Sequence, residues 1–326
     1  MTNTSAGIHH ITAIAADPQE NLDFYGGVLG LRFLKKTVNF DDPGTYHFYY
    51  GDYHGTPGTI LTFFPWGSAA ARGRPGIGQA VSVRFSLVPE SFWYWKQRLS
   101  AFGLQPQDRQ TPFGERVLSL YDPDGVAVEL VENPEERREG WTSSSVPPEQ
   151  TIRGFLGVGL AVGGYEGTAS LLTEELGFEE GENRGEVFRY RNRRATGDAA
   201  GATVVDIFCR PTSPEGRMGA GAIHHVAWRA GSDAEQVDVR GRLLRRGLNV
   251  TPSIDRHYFH SIYFREPGGI LFEVATDPPG FAVDESLENL GAGLMLPPQH
   301  EGKRSIIEEL LPEVTVPQNV QPEKKI

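Results

Sequence analysis

A short stretch that occurs twice in the chain decides the fold. Residues 8–11 read IHHI, and residues 223–226 read IHHV. A second segment is repeated as well, because DPDGVAVE at residues 122–129 corresponds to EPGGILFE at residues 266–273. One such repeat could arise by chance, but two at equivalent places in a recurring unit indicate an internally duplicated architecture.

Outward from these segments, the sequence divides into four similar modules. The first, at about residues 7–66, has an apolar strand pattern, a helix start at Asp17-Pro18 and three strand-like segments. The same order recurs at about residues 78–133, 152–210 and 220–279. The pattern predicts an α+β fold built from four βαβββ modules.

Residues 133–150 are rich in Glu, Ser and Pro, which is typical of a connection between domains. We therefore predict two tandem domains of two modules each, followed by a tail of different composition. The predicted segments are an N-terminal domain at 1–140, a linker at 141–150, a C-terminal domain at 151–280 and a tail at 281–326.

The composition is that of a globular protein, with 39% hydrophobic and 22% charged residues among 326. The 31 basic and 42 acidic residues give a formal net charge of −11, which disfavours nucleic acids and anionic membranes as partners. The basic run RYRNRR at 189–194 is interpreted as a solvated loop or hairpin edge. No apolar run reaches the roughly 18 residues of a membrane-spanning helix, and no signal-peptide pattern is present. With Cys209 as its one cysteine, the chain is expected in the reducing cytoplasm.

Strand alternation separates the two histidines of each pair. Successive side chains of a strand face opposite sides, so His9 shares its side with the apolar Ile11, whereas His10 shares its side with Thr12. The same argument selects His225 over His224. His10 and His225 are therefore predicted to face a cavity, and the other two are either hydrogen-bonding neighbours or packing residues.

Glu273 lies in the middle of an apolar strand pattern, where a carboxylate is costly to bury unless it is paired or binds a metal. A single histidine or glutamate on such a strand is more often a hydrogen-bonded core residue. Histidines at the same place in two modules, together with Glu273, favour a shared metal site. Two imidazoles and one carboxylate form the set that leaves coordination positions open on Fe(II).

Several longer motifs carry a more specific resemblance. They are GIHHIT (7–12), KTVNFDDP (36–43), YHFYYGD (46–52), GAIHHVA (221–227) and DRHYFHSIYFREPGG (255–269). In these motifs the chain resembles the vicinal-oxygen-chelate superfamily, which includes glyoxalase I, bleomycin-resistance proteins and extradiol dioxygenases. Within it, the chain is most similar to the hydroquinone-cleaving ring dioxygenases, and the similarity extends over all four modules.

The resemblance implies a role for individual residues. His10, His225 and Glu273 would be the iron ligands, and Thr12, His224, Arg256 and Tyr263 would surround the substrate, with His9 nearby. An arginine and a phenol beside a metal could hold an ionising hydroxyl and the charge that develops on it. The aromatic positions in and near the strand-like segment at residues 46–50 are expected to line the pocket or to pack in the core, namely Tyr46, His47, Tyr49 and Tyr53.

The resemblance also implies the reaction. We expect an Fe(II)-dependent ring-cleaving dioxygenase that inserts both atoms of O2 into a hydroquinone or substituted hydroquinone. Since the ligands come from modules one and four, these two should share one metal cup, which predicts one iron per chain. Modules two and three should form a second cup, where Glu129 matches Glu273 but Leu156-Gly157 replaces the histidine pair.

Other functions on the same scaffold stay open from the sequence. They are a catechol extradiol dioxygenase, a glyoxalase-type isomerase with Glu129 as a conceivable fourth ligand, and a non-catalytic small-molecule binding protein. Mn(II) accepts the same ligands as Fe(II). The ring substituents, homo-oligomer formation and the choice between a catabolic and a detoxifying role are equally open.

Overall fold

The computed structural model describes residues 7–142, 145–192 and 203–317, and every module has the predicted order of elements. The first module contains β1 (Ile8–Ala15), α1 (Pro18–Leu22), β2 (Arg32–Val38), β3 (Tyr46–Gly51) and β4 (Ile60–Pro65). The second contains β5 (Gln79–Leu87), α2 (Phe92–Ala101), β6 (Gln107–Gln110), β7 (Arg116–Tyr121) and β8 (Ala127–Glu132). The third contains β9 (Phe155–Val162), α3 (Glu166–Glu174), β10 (Glu179–Arg184), β11 (Val187–Arg191) and β12 (Val204–Cys209). The fourth contains β13 (Ile223–Ala230), α4 (Asp233–Arg245), β14 (Ile254–Asp255), β15 (Phe259–Arg265) and β16 (Leu271–Pro279).

Short helical segments complete the chain. A π-helical turn at Asp23–Val28 extends α1, and the tail contains α5 (Pro298–Glu301) and α6 (Arg304–Leu310). The predicted helix start is confirmed, because the Asp17 carboxylate accepts hydrogen bonds from the backbone N–H groups of Gln19 and Glu20. Among the described residues, no helix combines the length and the apolar character that crossing a bilayer requires.

The strands form two eight-stranded sheets, each built from two modules. The first sheet has the order β14-β15-β16-β13-β1-β4-β3-β2, and the second has the order β10-β11-β12-β9-β5-β8-β7-β6. Modules one and four therefore share one sheet and modules two and three share the other, which confirms the predicted pairing and the α+β fold class. Each sheet takes one module from each half of the chain, and the boundaries given above for two tandem domains stay a prediction.

Two β-bulges interrupt the antiparallel pair at the centre of the first sheet. Ile8 faces Trp228 and His10 faces Ala227, so His9 is an extra residue on β1. On β13 the extra residue is His224, because Thr12 faces His225 whereas Ala13 faces Ile223. A bulge breaks the regular alternation of side chains. The expectation that His9 shares its side with Ile11 is therefore wrong.

The tail closes the cup of the first sheet. Phe281 is buried against Tyr49 and Tyr258, with ring centroids 5.1 and 5.2 Å away. Lys35, on β2, is fully buried and forms ion pairs with the tail carboxylates Asp284 and Glu285. A buried ammonium needs such partners, so the tail is part of the wall of the cup and not an appendage.

Candidate metal centre

Three side chains from neighbouring strands of the first sheet converge on one point. They are His10 on β1, His225 on β13 and Glu273 on β16, and one ligand atom of each lies within 4.8 Å of the others. Glu273 Oε2 is 2.9 Å from His225 Nε2 and 3.3 Å from His10 Nε2. All three residues are buried. The predicted set is therefore brought together, although His10 lies more than 200 residues along the chain from each of the other two.

The charges at this point suit a cation. Burial raises the pKa of Glu273, but the electrostatic effect of the neighbouring His10 and His225 outweighs it and holds the pKa well below its usual range. Burial lowers the pKa of His225, against the effect of Glu273. Ser261 donates a hydrogen bond to Glu273 Oε1, whereas Glu273 Oε2 has no hydrogen-bond partner of suitable geometry among the described residues. A buried carboxylate oxygen directed at two imidazole nitrogens without a hydrogen bond fits a metal ligand.

The two bulged histidines lie directly beside the ligand candidates. His9 Nδ1 is 2.9 Å from His10 Nδ1, and His224 Nδ1 is 2.7 Å from His225 Nδ1. When the inner histidine of each pair donates its Nδ1 proton, its Nε2 keeps the lone pair that a metal requires. Burial lowers the pKa of His9 well below its usual range and that of His224 to about 3, so both rings are neutral and can accept this proton at Nδ1 in the tautomer that is protonated at Nε2.

A cavity of about 190 Å³ opens at the three side chains. This is smaller than the ~300–1,000 Å³ of pockets for drug-sized ligands, and it suits a single ring. Five residues are predicted from the sequence to lie at or near the substrate. Four of them line this cavity, and the fifth, His9, instead contacts His10 from outside the cavity. The lining consists of His10, Thr12, Asn39, Phe40, Asp41, His47, Tyr49, Phe64, Trp66, His224, His225, Arg256, Phe259, Tyr263 and Glu273.

Arg256 and Tyr263 form a charged and hydrogen-bonded side of this cavity. Arg256 Nε donates to the Tyr263 hydroxyl at 3.2 Å, and Arg256 Nη1 is 3.1 Å from Asp41 Oδ2. Burial and the charge of Glu273 raise the pKa of Tyr263, against the effect of Arg256. The phenol is therefore neutral and the guanidinium charged at neutral pH. Asp41, which closes the mouth over Arg256, comes from a loop whose role the sequence did not indicate.

A chain of hydrogen bonds leads from the cavity into the wall. The Thr12 hydroxyl is 2.8 Å from the Thr62 hydroxyl, which is 2.9 Å from His47 Nε2. His47 Nδ1 is in turn 2.9 Å from the Tyr49 hydroxyl. Burial lowers the pKa of His47 well below its usual range. Sequence reasoning missed Thr62, since it is one hydroxyl in an apolar strand, and only the parallel pairing of β1 with β4 sets it opposite Thr12.

The second cup differs from the first in its charges. Arg84 on β5 is buried, with Nη1 bonded to Asp206 at 2.5 Å, Nη2 to Glu115 at 3.0 Å and Nε lying 3.1 Å from Glu129. Arg189 is 1% exposed and also bonds to Asp206 and Glu115. The interpretation of the basic run as solvated is therefore wrong for Arg189, and residues 193–194 of that run lie outside the described residues.

Comparison with known proteins gives the family. A model described as the Glyoxalase/Bleomycin resistance protein/Dioxygenase superfamily matches residues 7–130 and 154–274. The chain belongs to this superfamily. Glyoxalase I from Zea mays shares the fold, with a TM-score of 0.58 at 14% identity, covering 83% of this chain and 92% of the plant chain.

Members of the superfamily that match nearly the whole chain include proteins named as dioxygenases. MhqO of Bacillus subtilis (strain 168), which its name describes as a ring-cleaving dioxygenase, is 48% identical over 314 residues, or 96% of this chain and 98% of MhqO. The chlorohydroquinone/hydroquinone 1,2-dioxygenase of Sphingobium indicum is 33% identical over 306 residues, or 91% of this chain and 92% of that enzyme. A crystal structure described as a dioxygenase from Bacillus subtilis subsp. subtilis str. 168 has a TM-score of 0.91 at 45% identity, covering 97% of this chain and 99% of that one. The predicted resemblance and the predicted class of enzyme are confirmed.

Proposed function

We propose that this protein is an Fe(II)-dependent dioxygenase that opens the ring of hydroquinone or a substituted hydroquinone. The observation that carries the proposal is the convergence of His10, His225 and Glu273 at a cavity of single-ring size. The name of the relative from Sphingobium indicum supports the choice of a para-dihydroxylated ring over a catechol.

The three proposed ligands would hold one iron per chain. Two neutral imidazoles and a carboxylate leave open positions on the ion, and when bound the iron supplies the redox chemistry that joins an aromatic ring with O2. The bulged His9 and His224 fix the orientation of the ligand rings through their Nδ1 contacts. Mn(II) fits the same ligands, so the choice of iron rests on the proposed reaction with O2.

The remaining residues of the cavity would bind and polarise the substrate. The Arg256 guanidinium, with its fixed positive charge, stabilises the oxyanion of an ionised ring hydroxyl. The neutral Tyr263 phenol donates a hydrogen bond to the same oxygen or to a developing carbonyl. Thr12 supplies a hydroxyl that is already oriented by Thr62, and the aromatic side chains Phe40, Phe64 and Phe259 exclude water from the ring.

The reaction balances without a further reductant. The bond between a hydroxylated carbon and its neighbour breaks, and two new carbon–oxygen bonds form, so both oxygen atoms remain in the ring-opened product. The electrons that reduce O2 come from the ring. The expected product carries a carboxylic acid at the former hydroxylated carbon and an aldehyde at its neighbour.

Oxygen uptake by protein that was loaded anaerobically with Fe(II) tests the proposal. Hydroquinone, catechol and the methylglyoxal–glutathione adduct are supplied in parallel. We expect uptake of one O2 per ring with hydroquinone only. Glu273→Gln should lose iron and activity, whereas Glu129→Gln, at the matching position of the second cup, should keep both.

The alternatives give different results. Oxygen uptake with catechol in preference to hydroquinone would show that the substrate is a catechol. Conversion of the glutathione adduct without oxygen uptake would show that the reaction is an isomerisation. The fourth ligand considered for an isomerase, Glu129, lies in the other sheet and is bonded to Arg109 and paired with Arg84. Failure to bind iron would leave a small-molecule binding protein.

A further inference from the structure

The second cup contains a cavity larger than the one at the candidate metal centre. Its volume is about 600 Å³, against about 190 Å³ for the first. It lies on β5, β8 and β12, and segments around Ile77 and Pro214 form its rim. A volume of this size is within the ~300–1,000 Å³ range of small-molecule pockets.

The registers of the two sheets show that this cavity occupies the place that the metal centre has in the first cup. In the first sheet, His225 stands two residues before Ala227, which pairs with Glu273. In the second sheet, Ser82 stands two residues before Arg84, which pairs with Glu129. On the other side of each cup, β1 pairs with β4 and β9 pairs with β12 in the same parallel register. This register sets Gly157 at the position that His10 has in the first sheet.

The carboxylates of the second cup already form ion pairs with arginine side chains, so no metal ion is needed to neutralise them. Arg84 contacts Asp206, Glu115 and Glu129, and Arg189 contacts the first two again. The guanidinium groups thus take the place that a divalent ion would have between these oxygens. A ligand of this cavity therefore has to interact with groups other than the three carboxylates.

The polar groups left for a ligand include three side chains that can donate hydrogen bonds. Arg210 stacks on the Phe208 ring at 5.2 Å, and its guanidinium has no hydrogen bond or ion pair within the described part of the chain. Ser82 is 6% exposed, and its hydroxyl likewise has no hydrogen bond to a described residue. Gln79 is 4% exposed, and its amide has only a 3.8 Å contact with the sulfur of Met218.

The rest of the wall is largely apolar, with Ile77, Val126, Val187 and Ile223 among the lining side chains. A positively charged group, two buried neutral donors and an apolar wall together match an anion with an apolar body. We propose that this cavity is a metal-independent binding site for a small aromatic carboxylate. The carboxylate lies against Arg210 and the buried Ser82 and Gln79, and the ring packs on the apolar wall.

Fluorine NMR with 4-fluorobenzoate as the probe tests the proposal on the full-length protein. We expect the probe signal to broaden and shift as protein is added. The alcohol 4-fluorobenzyl alcohol, which lacks the charge, should bind at least about tenfold more weakly. Arg210→Gln should weaken binding of the acid about tenfold, whereas Arg245→Gln, an exposed arginine on α4, should leave it unchanged. Ser82→Ala should weaken it several-fold.

A further variant separates this site from the candidate metal centre. Glu273→Gln should bind 4-fluorobenzoate as the unaltered protein does, because the two cavities do not share residues. No binding of the acid, equal binding of the alcohol, or loss in Glu273→Gln with retention in Arg210→Gln would each overturn the proposal. None of these results depends on whether the metal centre cleaves hydroquinone.

Discussion

Replacing Arg84 with methionine tests whether the second cup is held together by its buried charges. The side chain is 2% exposed and donates charge-assisted hydrogen bonds to Asp206 and Glu115 while pairing with Glu129. Its removal leaves the three carboxylates to the buried Arg189 and the partly exposed Arg109 and Arg191. Two hydrogen bonds to charged groups, at about 1.5–3 kcal/mol each, give about 3–6 kcal/mol. This agrees with the roughly 3–5 kcal/mol observed when one partner of a buried ion pair is removed.

Urea unfolding is the assay, with Arg109→Met as the matched control. The Arg109 side chain is 41% exposed and pairs with Glu129, so its loss should cost only about 0–1 kcal/mol. Arg84→Lys keeps the charge but reaches fewer partners, and its stability should lie between those of the unaltered protein and Arg84→Met. A loss below about 1 kcal/mol in Arg84→Met, or equal losses for Arg84→Met and Arg109→Met, would refute the reasoning.

The same cluster sets a dependence on pH. The hydrogen bond from Arg189 and the charges of both arginines outweigh burial and lower the pKa of Glu115 to about 2. A carboxyl group whose pKa is lower in the folded state stabilises the protein above its unfolded pKa of about 4.3, and this stabilisation is lost as the pH falls towards 2. In Arg84→Met the pKa of Glu115 rises towards its usual value. This part of the stability, and its loss on acidification, are therefore smaller in the variant. The difference in unfolding free energy between the unaltered protein and Arg84→Met, measured by urea unfolding followed by circular dichroism, should narrow as the pH falls from about 4.3 towards 2, and a difference that does not depend on pH would contradict this.

Other parts of the structure yield further predictions. Lys35→Met leaves two tail carboxylates without their buried partner, so trypsin should cut the tail after residue 303 or 304 faster than in the unaltered protein; equal rates would show that the ion pairs do not hold the tail. Thr62→Val interrupts the hydrogen-bond chain to His47 and should cost about 1–3 kcal/mol in urea unfolding, whereas Thr62→Ser should cost less than about 1 kcal/mol; the reverse order would contradict a hydrogen-bonding role. Asp17→Ala removes the cap of α1 and should cost about 0.5–2 kcal/mol with no change in metal content, which metal analysis of the variant checks.

Much of the fold and the three converging side chains could be predicted because they depend on local patterns that are repeated. Alternation and the repeat select His10 and His225, and an apolar strand around Glu273 makes its carboxylate conspicuous. The pairing of the first module with the fourth followed from the requirement that the three side chains meet. These arguments need only the two-residue alternation of side chains along a strand and the assumption that matching positions of the repeated modules have matching places in the fold.

The other features depend on contacts that leave no local signal. The bulges at His9 and His224 consist of one extra residue each, and nothing in the neighbouring sequence distinguishes them from regular strand. Arg189 reads as part of a solvated basic run, yet it is buried because Asp206 on the next strand and Glu115 from another module face it. Asp41 reaches Arg256 only when the first and fourth modules are adjacent.

The proposed reaction is tested most directly by mass spectrometry of the product formed from hydroquinone under ¹⁸O2. Protein loaded with Fe(II) and the Glu273→Gln variant are compared under identical conditions. The product aldehyde is reduced at once with borohydride, because its oxygen would otherwise exchange with water. We predict two heavy oxygen atoms in each ring-opened product molecule trapped in this way and no product from the variant. A trapped product without heavy oxygen, or a product formed equally by Glu273→Gln, would contradict the assignment of His10, His225 and Glu273 as the centre of a ring-cleaving dioxygenase.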